Sequence, residues 1–83
     1  MDDSNTATAA SADHMPANIA RLRKRRGMRT QRELAIACGV DPSTVWHWEN
    51  GSRSPSAAQI PSLAAALGVP AGRLFAPPRK KAA

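Results

Sequence analysis

A chain of 83 residues has room for one small domain and a modest core. One cysteine, two histidines and six carboxylates leave no nucleophile–base triad, no paired carboxylates, no ligand set at zinc spacing and no glycine-rich phosphate loop, so no enzyme, metal site or cofactor is expected. Formal net charge is +6, but residues 1–15 hold three aspartates and no Lys or Arg, which leaves twelve cations against three acids, or +9, in the remainder. Such a field attracts polyanions, with a phosphate backbone the obvious one, although charge alone does not separate DNA from RNA or anionic lipid.

In chain order, residues 1–15 (MDDSNTATAASADHM) are rich in Ala, Ser, Thr and Asp and poor in large apolar side chains, so a flexible segment is expected there. The segment is too polar for a signal peptide, and no stretch approaches membrane-spanning length. A soluble, intracellular protein without membrane contact is therefore expected, and the lone Cys38 rules out an internal disulfide. A folded domain over 16–76 follows, and 77–83 reads as a basic, frayed tail. Helix 1 is predicted over Ala17–Arg26, with Ile19 and Leu22 inward, Arg21, Lys24 and Arg25 outward, and Gly27 ending it.

Gln31–Gly51, QRELAIACGVDPSTVWHWENG, then forms two short amphipathic segments around a glycine. Leu34, Ala35 and Cys38 line one face of helix 2, which begins at Thr30 or Gln31 and ends at Cys38. Gly39 suits a left-handed turn, Asp41 stands where an N-cap belongs, and Pro42 occupies a first helical position where its missing amide hydrogen costs little. Helix 3 is predicted over Pro42–Asn50, with Val45, Trp48 and Glu49 on one side and Ser43, Trp46, His47 and Asn50 on the other. SRSPS after Gly51 reads as a loop. Pro61 interrupts the next apolar run, so regular helix is expected only over Pro61–Leu67, closed by Gly68. A short fifth helix, Ala71–Phe75, completes a core of Ile19, Leu22, Leu34, Val45, Trp48, Ile60, Leu63, Leu67, Val69, Leu74 and Phe75.

The ordered landmarks Gln31, Leu34, Ala35, Gly39, Ser43, Thr44, Val45, Trp48, Glu49 and Gly51 resemble the lambda-repressor-like (Cro/repressor, Xre-type) helix-turn-helix family. The resemblance extends to NIARLRKRRG before the motif and SLAAALGVPAGRLF after it, covering roughly residues 17–76. The chain departs from the family pattern at Gly27-Met28-Arg29-Thr30-Gln31, one residue longer than usual. Either Met28 takes the core place of the family's leucine and Arg29 bulges out, or the exit of helix 1 is rearranged; loops tolerate such insertions cheaply.

The resemblance implies an all-α, compact five-helix fold with the helix-turn-helix at helices 2 and 3. It also implies a prokaryotic or phage transcriptional regulator, expected to be a repressor, that binds double-stranded DNA as a homodimer on a pseudo-palindromic operator. Such a protein is cytoplasmic and associates with the nucleoid through DNA. Pro42, Ser43 and His47 would lie closest to base edges, flanked by Thr44 and Trp46. His47 is the first choice as a base reader, against a solvated surface histidine. Trp46 is an exposed aromatic whose cover is sugar or thymine methyl, a second subunit, or a neighbouring arginine. Gln31 either contacts phosphate or simply caps helix 2, with Arg29 and Thr30 beside it, while Asn50, Ser52 and Arg53 form a second phosphate-facing turn. Structural roles fall to Gly39, to Trp48 in the core, and to an Arg23–Glu49 ion pair between helices 1 and 3. The run Arg23–Arg26 is expected to add phosphate contacts, and the tail Arg79, Lys80 and Lys81 either does the same or forms a solvated cluster. Two rivals share the fold or the surface: an antitoxin or restriction-modification controller, and a protein-interaction module anchored on Trp46.

Overall fold

The computed structural model describes residues 12–77. Four α-helices are present, α1 (Met15–Arg25), α2 (Gln31–Cys38), α3 (Pro42–Asn50) and α4 (Gln59–Leu67), with single 3₁₀ turns at Ala12–His14 and Ala71–Leu74. The fifth helix expected over Ala71–Phe75 is thus a 3₁₀ turn. It is too short for a regular α-helix, and Phe75 closes it by donating its amide to Gly72 O at 3.1 Å. Helix α3 packs on α2 and α1, α4 packs on α2, and the last turn packs on α1 and α4. Among the described residues no helix is long and apolar enough to cross a membrane.

The helix ends show how local sequence sets these elements. Thr30 is extended and its Oγ1 accepts the Glu33 amide at 3.2 Å, while Glu33 Oε1 accepts the Arg29 amide at 2.8 Å. Two donors that have no partner within the helix are thereby satisfied. Gly39 closes α2 at φ +77°, a region that L side chains avoid, and the Val40 amide turns back to Ala35 O at 3.0 Å. Asp41 holds the N-cap position of α3 as expected, yet its carboxylate makes no capping bond; its backbone carbonyl accepts from Thr44 N at 2.9 Å.

Helix α4 begins two residues earlier than expected, at Gln59. Pro61 falls in the first turn, where its missing amide has no helical acceptor to lose. Ser56 and Gln59 brace this start reciprocally: Ser56 N donates to Gln59 Oε1 at 2.8 Å and Gln59 N to Ser56 Oγ at 3.2 Å. This is a capping box displaced just ahead of the helix.

The core comprises Met15, Ile19, Leu22, Leu34, Ala35, Val45, Trp48, Leu63, Ala64, Leu67 and Leu74, each buried. Ile60, Val69 and Phe75, expected within it, are half-buried against it. Met15 corrects the flexible assignment of 1–15 at its last residue. It stands one helical turn before Ile19, so the apolar stripe of α1 reaches back to it, and it is 3 % exposed. The rest of that segment before Ala12, and the tail cations Arg79, Lys80 and Lys81, lie outside the described residues. At the insertion, Met28 packs half-buried against the core and Arg29 is exposed, the first of the two arrangements expected there.

Candidate nucleic-acid interface

Helix α3 is amphipathic in the manner its spacing predicts. Val45 and Trp48 are buried, whereas Pro42, Ser43, Trp46 and Asn50 are exposed and His47 is half-buried beside them. Positions 43, 46, 47 and 50 recur at three- and four-residue spacing, so they form one outward strip. Thr44 is half-buried and lies off it. Trp46, 48 % exposed, receives part of its cover from the His47 ring, edge to face at 5.0 Å.

The orientation of this strip is fixed from behind. Arg23 Nε donates to Glu49 Oε2 at 2.7 Å, and its Nη2 to Glu49 Oε1 at 3.2 Å, with side chains only 7 % and 8 % exposed. The same guanidinium donates through Nη1 to Met28 O at 3.0 Å, which pins the inserted turn. Gln31 Nε2 completes the network by donating to Glu49 Oε1 at 3.0 Å. One carboxylate on α3 therefore collects donors from α1 and from the start of α2. A forked, desolvated pair of this kind adds little net stability but strongly disfavours any other geometry.

His47 and the turn after α3 are joined. His47 Nδ1 lies 2.7 Å from Ser52 Oγ, which leaves the Nε2 edge of the ring facing outward from that bond. Gly51 N and Arg53 N both donate to His47 O, at 2.9 and 3.3 Å. The Arg53 amide is thus taken up within the turn, while its side chain is exposed. The side chains of Thr30 and Gln31 are likewise engaged inside the protein, Thr30 on the Glu33 amide and Gln31 on Glu49. The first two amides of α2, Gln31 and Arg32, have no acceptor within the helix, and Arg29 is exposed beside them.

Two residues escape the sequence patterns. Arg32 is exposed on the first turn of α2, where a cation beside a helix start was the available signal. Asn18 is fully buried and donates from Nδ2 to Leu74 O at 2.9 Å and to Ala76 O at 2.7 Å. No local pattern could reveal those partners, which lie more than fifty residues away.

A glycine turn between two helices, the second presenting a polar strip and locked by a buried carboxylate, defines a helix-turn-helix. The chain belongs to the family described as helix-turn-helix domain, whose model matches residues 17–75. It is of the lambda-repressor-like kind, a DNA-binding fold of transcription regulators. The structure is similar to that of the restriction-modification controller protein C.AhdI from Aeromonas hydrophila, at 34% identity and a TM-score of 0.70, covering 75% of this chain and 92% of that one. It is also similar to the hypothetical transcription factor NHTF from Neisseria, at 32% identity and a TM-score of 0.69, covering 84% of this chain and 82% of that one. Among curated proteins no significant match is found.

Proposed function

We propose that this protein is a sequence-specific transcriptional regulator, acting as a repressor, that binds a pseudo-palindromic operator as a homodimer with α3 in the major groove. The observation that carries this reading is the outward strip of Ser43, Trp46, His47 and Asn50 held rigid by the Arg23–Glu49–Gln31 network. A rigid strip suits base reading, because a bidentate or paired contact discriminates bases only when the side chain is already positioned. His47 is the principal reader. In the tautomer whose Nδ1 accepts the Ser52 hydroxyl proton across the 2.7 Å contact, Nε2–H is free to donate to a guanine acceptor. Pro42 and Ser43 approach the bases from the start of α3 with Thr44 flanking them, and the Trp46 face lies against sugar or thymine methyl. Arg29, Asn50, Ser52 and Arg53, together with the amides at Thr30 and Gln31, hold phosphates. Occupancy of DNA places the protein in the cytoplasm, on the nucleoid.

A dimer is expected because one domain of this size makes too few contacts for high specific affinity, and half-sites about one turn apart, roughly 34 Å, add their contacts. Titration of a duplex from its own promoter across a salt series, with a footprint at saturation, tests this. Two protected half-sites one turn apart, and an Arg53→Ala variant that binds every duplex more weakly with a salt slope lower by about one per chain, support the proposal. A single protected site with an unchanged slope contradicts it.

The likeness to a restriction-modification controller favours a second reading, in which the regulated genes are those of such a system. Expression of the neighbouring genes with and without this protein separates the two.

A further inference from the structure

Away from α3, two adjoining cavities of about 290 and 300 Å³ open where the second half of α1 meets the end of α4 and the last turn. Arg25 and Arg73 line both, Arg26 lines the first and Arg21 the second, and no carboxylate lines either. On α1, Arg23 turns inward to Glu49, and two residues along a helix rotate by about 200°. Arg21 and Arg25 therefore leave the helix on the side opposite to the one that holds α3.

The walls of this groove are tied together. Arg21 Nη2 donates to Asn18 Oδ1 at 2.9 Å, and the same buried Asn18 holds the Leu74 and Ala76 carbonyls of the C-terminal segment that carries Arg73 and Pro77. Arg26 lies across Gly68, where a Cβ would meet its Nη1 at 2.5 Å, so the guanidinium sits against the negative end of α4. Arg21, Arg25 and Arg73 have no carboxylate among the described residues to offset them. Guanidinium forks brought together in this way repel one another and match the oxygens of a phosphate.

We propose that this groove is a second phosphate-binding site, used for the backbone of a DNA segment other than the one on α3. Four arginines spread along two adjoining cavities suit the successive phosphates of a continuous polyanion better than a lone phosphate. A chain with two phosphate-binding sides can bridge two duplexes or hold the flank of one that wraps around it. The site does not depend on what α3 reads.

Inorganic phosphate titrated into the ¹⁵N-labelled full chain tests the site, with chloride at matched ionic strength as reference. Saturable shifts at the side-chain Nε–H signals of Arg21, Arg25 and Arg73, absent from an Arg25→Gln/Arg73→Gln variant with an otherwise unchanged backbone spectrum, are expected. Shifts that persist unchanged in the double variant, or none beyond those in chloride, overturn it. The source is then separated by offering a labelled scrambled duplex to protein already held on an immobilised duplex. Capture by the wild type and loss of capture in the double variant support a DNA backbone. Phosphate binding without capture overturns the DNA assignment and makes a small phosphate compound the ligand.

Discussion

Glu49 is the residue on which the geometry of the site turns, since it receives Arg23 from α1 and Gln31 from α2 at the same time. Removing its carboxylate as Glu49→Ala leaves the Arg23 guanidinium buried without a counter-charge. The expected loss is about 3 kcal/mol, read as a lower urea midpoint with an unchanged slope. Replacing both partners with apolar residues, Arg23→Met and Glu49→Leu together, should recover most of that stability but not the DNA preference, because the clamp on α3 is gone. Cys38 gives a separate test at this scale. Burial pushes its thiol up from the ordinary value, so at neutral pH it should react with a thiol reagent more slowly than free cysteine and accelerate as pH rises. Much of this scale was legible in the chain: the α3 strip follows from helical spacing, and the Arg23–Glu49 pair from a family resemblance. The His47–Ser52 and Gln31–Glu49 bonds were not, because each joins residues of different local segments whose approach depends on a turn.

Among elements, the start of α2 and the turn into α3 set where the outward strip of α3 points. Thr30→Ala removes the acceptor for the Glu33 amide and should cost about 1 kcal/mol. Gly39→Ala meets nothing within 4 Å, so its cost is backbone strain alone, roughly 1–2 kcal/mol, seen in the same unfolding experiment. The bounds of α2 and α3 could be read directly because Thr30, Gly39, Pro42 and Gly51 are strong local signals. Helix α4 was misplaced for a physical reason: Pro61 disrupts a helix interior but not a first turn, and the Ser56–Gln59 brace marks the true start. The last turn stayed short because Asn18, not helical propensity, holds it in place.

For the molecule as a whole, a small core and a +6 chain make stability and binding interdependent. A domain of this size is stable by only a few kcal/mol, and bound DNA at one hundred times Kd adds about 2.7 kcal/mol by mass action. The melting temperature should therefore rise with duplex concentration and fall back as salt is added, which calorimetry measures. Sequence showed that positive charge is concentrated after Met15, but not that the fold divides it between two sides of α1. That division depends on Arg73 being carried to Arg25 by the packing of the last turn.

The central claim is that α3 reads sequence and that His47 is its principal reader. The most direct measurement is the ratio of affinities for the promoter duplex and a scrambled duplex, at one salt concentration, for the wild type and for His47→Ala. A high ratio in the wild type that falls towards one in the variant, with binding to the scrambled duplex retained, is the expected result. A ratio near one in the wild type, or one that His47→Ala leaves unchanged, would contradict it.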